Sequence, residues 1–330
     1  MQNEPMLCVQ DLSVRFKTKY GSAAAVNHVS FSLKKGEKLG LVGESGSGKS
    51  VTSKSIIRLL PTPPAQITGS IRLNGEELLT KTERQMCRVR GNQISMIFQE
   101  PMTSLNPVFR IGAQLDEVIA LHDGEGKSKE EIKERSIHLL EMAGIANCEG
   151  VYNMFPHELS GGMRQRVMIA MALSCNPKLI IADEPTTALD VTIQAQILDL
   201  LRNLKNKINS SIMLITHDLG VIAEMADYVV VMYAGRVVEK GTVEEIFANP
   251  AHPYTIGLMA SKPVVGKKVD KLYSIPGKVP NPINMPDYCY FKDRCEMQVE
   301  KCSGEYPHMI QLSPTHMVSC YRYFDGKVGE

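Results

Sequence analysis

One loop constrains this chain more than any other segment: GESGSGKS, residues 43–50, directly after the apolar run KLGLV. It fits the pattern G-x-x-x-x-G-K-[ST], which holds phosphates when a strand precedes it and a helix follows it. Gly43, Gly46 and Gly48 allow backbone N–H groups to turn toward one anion, and a helix that begins near Lys49 adds its dipole. The loop predicts an α/β fold that binds a nucleotide.

Individual residues of this phosphate loop have expected roles. Lys49 is expected to hold the β and γ phosphates, and Ser50 to bind Mg²⁺. The other side chains expected around the phosphates are those of Glu44, Ser45, Ser47 and Val51. A chance glycine-rich turn is the alternative, and the strand before the loop makes it improbable.

A second chemical element is KLIIADEP, residues 178–185. Its apolar run predicts a buried strand that delivers Asp183 and Glu184 to the carboxyl edge, where ligands bind in open α/β sheets. Successive side chains leave a strand in opposite directions, so the two acids suit different tasks. We expect Asp183 to bind Mg²⁺ and Glu184 to act as general base for a hydrolytic water. An acidic turn that caps a helix is the alternative.

Two polar residues follow strands of the same kind. Gln99 comes after ISMIF and His217 after SIMLIT, so we expect both at the edge that carries Asp183. Either one alone is more often a structural residue. Placed together there, they could sense a terminal phosphate or its attacking water, and Gln99 could also contribute to the Mg²⁺ site.

The chain divides into regions of different texture. Alternating apolar strands and helices fill residues 1–249, which indicates a parallel sheet covered on both faces. Residues 110–144 instead predict an all-helical insert, with a capping box at Ser128 and Glu131. Nine of the 18 prolines fall in residues 250–330. This loop-rich extension has too little apolar material for a core of its own, so it needs a cross-link such as a metal site. We predict a domain over 1–250, with its helical subdomain at about 100–170, and an extension over 251–330.

Composition excludes several classes of protein. The 330 residues carry a formal net charge of +1, which argues against broad attraction to nucleic acid or membrane surfaces. No apolar run reaches the ~18 residues of a spanning helix, and the N-terminal stretch lacks a secretory pattern. We therefore expect a cytosolic chain that reaches a membrane only through a partner.

A second glycine pair opens a second helix at LSGGMRQR, residues 159–166. Ser160 is a natural N-cap, and the N–H groups beside Gly161 and Gly162 could bind an anion. One nucleotide cannot easily be held by this segment and by the phosphate loop of the same molecule. We therefore expect a head-to-tail pair, in which each Ser160 helix closes on the neighbour's nucleotide. An ordinary helix cap is the alternative.

In this order, GESGSGKS, Gln99, LSGGMRQR, LIIADEP, ALD and His217 resemble the ATP-binding cassette of ABC transporters. The resemblance covers roughly residues 5–250, with the expected residue type at each catalytic position. It implies a P-loop ATPase core in which a parallel-sheet, RecA-like subdomain joins an antiparallel β subdomain, together with the helical subdomain. It also implies that Asp190 contacts nucleotide and that an early aromatic residue stacks on adenine. Phe16 matches that aromatic best, with Tyr20 in reserve.

The tail resembles the C-terminal extension of dipeptide and oligopeptide importer ATPases, as FQEPMTSLNP, residues 98–107, resembles their glutamine loop. Four cysteines crowd there, Cys289, Cys295, Cys302 and Cys320, and in the family four such residues hold a [4Fe–4S] cluster. Their spacing is not that of a usual zinc site, although zinc stays the alternative.

The resemblance also implies partners and a location. They are a second ATPase subunit of the same or another sequence, two transmembrane permeases and an extracellular binding protein, with the chain peripheral on the cytoplasmic face of the membrane. Nickel or glutathione import would use the same kind of subunit. Two further alternatives are a soluble ABC ATPase outside transport and an iron–sulfur redox sensor whose ATPase is vestigial.

Overall fold

The computed structural model describes residues 5–100, 104–123, 125–187, 189–261 and 273–324. The strands, in chain order, are β1 (Leu7–Thr18), β2 (Gly21–Leu33), β3 (Lys38–Val42), β4 (Ala65–Leu73), β5 (Glu76–Glu77), β6 (Ile94–Ile97), β7 (Leu179–Asp183), β8 (Ser211–Thr216), β9 (Tyr228–Tyr233), β10 (Arg236–Thr242), β11 (Ile310–Gln311) and β12 (Met317–Val318). The α-helices are α1 (Lys49–Ile56), α2 (Glu83–Val89), α3 (Ile111–Asp123), α4 (Lys129–Met142), α5 (Cys148–Asn153), α6 (Gly161–Leu173), α7 (Val191–Ile208), α8 (Leu219–Met225), α9 (Val243–Ala248) and α10 (Pro253–Ala260).

The strands predicted from four apolar runs are confirmed as β3, β6, β7 and β8. Every residue of β7 and β8 is buried, as expected for strands covered on both faces. Each fully buried Leu or Ile side chain contributes roughly 1.5–3 kcal/mol of transfer free energy. Burial of these apolar side chains therefore stabilises the strands where the sequence predicts them.

The chain forms two compact units, of which the first comprises Met1–Leu33, Leu39–Leu79 and Thr216–Glu330. One sheet of this unit is antiparallel, in the order β2-β1-β4-β5. Its other strands follow the order β11-β12-β10-β9-β3, in which only the pairing of β3 with β9 is parallel. The phosphate loop leaves the end of β3 and enters α1.

The C-terminal extension is attached to this unit by a strand and by a buried carboxylate. β12 pairs with β10, where Val318 lies opposite Glu239. The fully buried Glu239 accepts hydrogen bonds from the backbone N–H groups of Ala251 (2.7 Å) and His252 (2.9 Å). His316 Nε2 lies 2.7 Å from the same carboxylate. Burial of a carboxylate is costly unless it is paired, so these partners fix how the extension docks.

The second unit comprises Lys34–Lys38 and Thr80–Ile215. Its strands are parallel, in the order β8-β7-β6. The predicted helix with a capping box is confirmed as α4, where Ser128 Oγ and the Glu131 carboxylate each accept a backbone N–H of the other residue. In the same helical region, Asp116 accepts hydrogen bonds from Ser136 Oγ and Tyr152 Oη, both at 2.5 Å.

Both parallel and antiparallel sheets are present, as the predicted fold class requires. The boundary near residue 250 and the limits of the helical subdomain stay predictions. Within the residues described above, no helix has both the length and the apolar composition needed to cross a bilayer.

Candidate functional site

The phosphate loop is pressed against the backbone of its own unit. A Cβ at Gly43 would lie 2.1 Å from the carbonyl oxygen of Met232, and one at Gly48 would lie 2.5 Å from that of Ala25. Gly48 also has φ +94°, a conformation that side chains disfavour. Any larger residue would push the loop away from β9 and β2, so the glycines set the path of the backbone.

Lys49 is the charged group of this loop, and it is 5% exposed. Its Nζ donates to the carbonyl oxygens of Gly43 (2.7 Å) and Glu44 (3.0 Å) and to Ser47 Oγ (3.3 Å). The loop therefore folds around its own ammonium group. The remaining predicted residues here lie along the same turn: Ser45 and Gly46 are exposed, and Ser50 and Val51 are half-buried in the first turn of α1.

The acidic pair lies in the second unit, at the end of β7. Asp183 is the last residue of the strand and is 3% exposed. Glu184 follows with φ +46°, so the chain leaves the sheet at this residue. Its Oε2 accepts hydrogen bonds from Gln99 Nε2 (2.9 Å) and Thr187 Oγ1 (2.8 Å). The structure thus brings Gln99 and Glu184 together, and it adds Thr187, which no sequence pattern had indicated.

Three further predicted residues lie in the first unit. His217 directly follows Thr216 and is exposed. Phe16 lies in β1, opposite Ala23 and Ala65, and is half-buried. The reserve candidate Tyr20 is 72% exposed. Whether Phe16 or Tyr20 stacks on a base stays a prediction.

The second glycine pair opens α6, as predicted. Ser160 is its N-cap and accepts a hydrogen bond from the Met163 N–H at 3.3 Å. Ser160 and Gly161 are exposed, and Gly162 is half-buried. Asp190 caps α7 by accepting the N–H of Ile193 at 2.9 Å. Ala188 of the ALD motif lies outside the described residues.

The four tail cysteines form one group within the first unit. Each thiol interacts electrostatically with the other three. Burial raises the pKa of Cys289 to about 12 and that of Cys320 to about 11. Such thiols stay protonated at neutral pH unless a metal displaces the proton. Over the described ranges, however, no three His, Cys, Asp or Glu side chains are arranged to hold a single metal ion.

Residues of the extension also contact the phosphate loop, and no sequence pattern predicts these contacts. The Glu44 N–H donates to Tyr254 Oη at 2.7 Å. The Glu44 carboxylate pairs with Arg294, with contacts of 2.7 and 3.2 Å. These partners lie 210 and 250 residues from Glu44, beyond the reach of any local pattern.

Known proteins resemble this chain over most of its length. Residues 26–187 match the ABC transporter family, and residues 238–302 match the oligopeptide/dipeptide transporter C-terminal region. The oligopeptide transport ATP-binding protein AppD of Bacillus subtilis is 51% identical over 96% of this chain and 97% of its own. The oligopeptide transport ATP-binding protein OppD of Salmonella typhimurium is 49% identical over 96% of this chain and 93% of its own.

A solved structure is similar as well. It is a dimeric, post-hydrolysis ATP-binding cassette bound to ADP and Pi, with a TM-score of 0.65 and 27% identity. It covers 72% of this chain and 99% of its own. Because identity of about one half extends over nearly the full length of the AppD and OppD sequences, the chain belongs to the ABC transporter family, in the branch of the oligopeptide transport ATP-binding proteins.

Proposed function

We propose that this chain is the ATP-hydrolysing subunit of an ABC importer and that it energises the uptake of di- and oligopeptides. Relatives named for oligopeptide transport, at about half identity, support the transport role. The observation that carries the catalytic role is the Glu184 carboxylate, which Gln99 and Thr187 hold just beyond the buried Asp183.

The phosphate loop binds the triphosphate. When the triphosphate binds, the Lys49 ammonium gives up its hydrogen bonds to the loop carbonyl oxygens and donates to the β and γ phosphates instead. It then stabilises the negative charge that develops there. The predicted Mg²⁺ ligands, Ser50, Gln99 and Asp183, offer oxygen donors, the kind that a hard cation prefers. The buried carboxylate of Asp183 at a strand end fits that use. A Mg²⁺ ion held by these residues would supply positive charge that neutralises the phosphates.

Hydrolysis needs a water molecule aligned with the γ-phosphate. Glu184 takes a proton from that water as general base. The Gln99 amide, which already contacts the Glu184 carboxylate at 2.9 Å, orients the carboxylate and the water. His217 senses the terminal phosphate. Gln99, Glu184 and His217 thus each have a different role in ATP hydrolysis.

Glu184→Gln tests this assignment. The amide cannot accept the proton, so ATP turnover should fall by ~10²-fold or more, while binding of MgATP measured by calorimetry is retained. Glu134→Gln is the matched control, because Glu134 is an exposed glutamate on α4. A Glu184→Gln protein with normal turnover would refute the role of Glu184.

The Ser160 helix serves the nucleotide of a second ATPase subunit. The exposure of Ser160 and Gly161 supports this, because their side of α6 stays accessible in the single chain. The related cassette with ADP and Pi is dimeric. We propose a pair with another ATPase, bound at the cytoplasmic face to two permease subunits that receive peptides from an extracellular binding protein.

Reconstitution with the permeases tests this assembly. Peptide-loaded binding protein should stimulate ATP hydrolysis, while nickel-loaded or glutathione-loaded binding proteins should not. If only the nickel-loaded or only the glutathione-loaded binding protein stimulates hydrolysis, that solute and not a peptide is the substrate of the importer.

We further propose that Cys289, Cys295, Cys302 and Cys320 hold a [4Fe–4S] cluster. The donor set supports it: four thiols within one group, three of them buried. A four-iron cluster takes one thiolate at each iron, so its cysteines need not crowd around one point as zinc ligands must. The cluster would cross-link an extension that has little regular structure of its own.

Anaerobic purification tests the cluster. Iron and sulfide analysis should give about four of each per chain, and Cys302→Ser should lose them. Cys148→Ser is the control, because Cys148 is a buried free cysteine of the other unit. One zinc per chain without iron would establish the zinc alternative.

A further inference from the structure

Arg294 is a buried cation of the C-terminal extension, in the short turn Lys292–Arg294, and its residue is 8% exposed. Its guanidinium has five N–H donors, and each has an acceptor. Three of these acceptors are Pro276 O at 2.7 Å, Ile275 O at 3.4 Å and Tyr233 Oη at 3.3 Å. The remaining two donors reach the two oxygens of Glu44. Because all five donors are hydrogen-bonded, the Arg294 side chain is held in one position.

Glu44 is the first residue after Gly43 in the phosphate loop. Arg294 grips its carboxylate at both oxygens, Nη1 to Oε2 at 2.7 Å and Nη2 to Oε1 at 3.2 Å. Tyr254 Oη accepts the Glu44 N–H at 2.7 Å, and Lys49 Nζ donates to the Glu44 carbonyl at 3.0 Å. Glu44 is therefore held at its side chain, its N–H and its C=O.

Aromatic rings surround this ion pair. The guanidinium carbon lies 5.6 Å from the ring centre of Tyr233 and 5.9 Å from that of Phe291. Tyr254 packs against both rings, with centroids 4.7 and 5.5 Å away. Rings at this distance attract the cation, and the Arg294 side chain is only 6% exposed, although that of Glu44 is 27% exposed. In such an environment the Coulomb interaction between guanidinium and carboxylate is stronger than in bulk water.

Glu44 poses an electrostatic problem for an anion-binding loop. Its negative charge lies in the loop proposed to receive a triphosphate, and like charges at short range repel. Arg294 neutralises that carboxylate and at the same time fixes the turn between Gly43 and Lys49. The only cation that contacts the Glu44 carboxylate, among the ion pairs of the described residues, comes from outside the cassette motifs.

We propose that Arg294 is a positioning residue for nucleotide binding: through Glu44 it holds the phosphate loop in shape and cancels a charge that would repel the triphosphate. The C-terminal extension thereby completes the nucleotide site. This inference rests on the proposed ATP binding by the phosphate loop.

The test measures MgATP binding and turnover for Arg294→Gln. Loss of the guanidinium leaves the Glu44 carboxylate uncompensated, so the Kd and KM for MgATP should rise about 10-fold or more, while kcat at saturation changes less than threefold. Lys292→Gln is the matched control. It removes a positive charge from the same turn, but the Lys292 ammonium lies over the Tyr288 ring. Its Kd should equal that of the unchanged protein.

A second variant separates charge from folding. In Glu44→Gln combined with Arg294→Gln, no carboxylate remains to repel phosphate, so most of the lost affinity should return. Arg294→Lys keeps the charge without the two-pronged contact and should fall between the extremes. Should Arg294→Gln bind MgATP as tightly as the unchanged protein, or the double variant bind no better than Arg294→Gln, the inference is overturned.

Failure of the proposed function would look different. If the unchanged protein does not bind MgATP, and Lys49→Ala alters nothing, the phosphate loop itself is misassigned. If Lys49→Ala loses MgATP binding while the Arg294 variants keep it, only the proposed role of Arg294 is refuted. Should Arg294→Gln fail to fold, Arg294→Lys still tests the inference, because a Kd for MgATP equal to that of the unchanged protein would overturn it.

Discussion

Two glycine-rich segments open helices in this chain, and they begin those helices in different ways. At α1 the N-cap is Gly48, with φ +94° and no side-chain cap. At α6 the N-cap is Ser160, in an extended conformation, and its hydroxyl accepts the Met163 N–H. The second helix start therefore satisfies one of its N–H donors with its own N-cap side chain, whereas the first has no N-cap side chain that could do so.

Their surroundings differ as well. Backbone atoms of the same unit press against Gly43 and Gly48. At Gly161, by contrast, no heavy atom of the described chain lies within 4 Å of an added Cβ, its sequence neighbours and own helix backbone aside. At the second helix start, Ser160 and Gly161 are exposed. The proposed second subunit would place its nucleotide against this exposed helix start.

The largest effect is expected from a substitution at the start of α6. Ser160→Arg places a long cation where the neighbour's nucleotide should dock, so ATP hydrolysis by the assembled pair should fall by ~10³-fold or more. MgATP binding to the single chain, measured by calorimetry, should be unchanged. Loss of binding in the single chain would mean that Ser160 serves its own nucleotide, and the difference between the two loops would disappear.

The next largest effect is expected from a substitution in the phosphate loop. Lys49→Ala removes the ammonium that is expected to hold the phosphates, so the Kd for MgATP should rise ~10²-fold in the single chain, as charged hydrogen bonds contribute ~1.5–3 kcal/mol each. Lys54→Ala is the control, since Lys54 is an exposed lysine of the same helix. Equal affinities of the two variants would contradict the proposed site.

A smaller effect concerns stability. In Gly48→Ala the new methyl group would lie 2.5 Å from the carbonyl oxygen of Ala25, at a positive φ. The free energy of unfolding should drop by about 1–3 kcal/mol, which urea denaturation can measure. An unchanged denaturation midpoint would show that the loop is not confined as described.

The smallest effect is the same substitution at the other helix start. Gly161→Ala meets no neighbouring atom in the single chain, so its free energy of unfolding should change by less than about 0.5 kcal/mol. The contrast with Gly48→Ala sharpens the comparison. A loss at Gly161 as large as that at Gly48 would indicate that α6 is confined by its own chain.

Much of the fold could be predicted because it depends on near neighbours. The apolar runs specify β3, β6, β7 and β8, and Ser128 and Ser160 mark where α4 and α6 begin. The contact of Gln99 with Glu184 also follows, because β6 and β7 are parallel neighbours whose carboxyl ends meet. Thr187 could not be predicted, since its contact with Glu184 depends on how the chain turns after the strand.

By itself, the sequence determined the strands, the helix starts and the order of the cassette motifs, because burial patterns and caps act over a few residues. Only the tertiary structure decided that Arg294 reaches Glu44 and that His316 reaches Glu239. These contacts join segments far apart in the chain. The free energy of such a contact depends on where the whole backbone places both partners and on how much water it excludes, and neither can be obtained from the residues beside them.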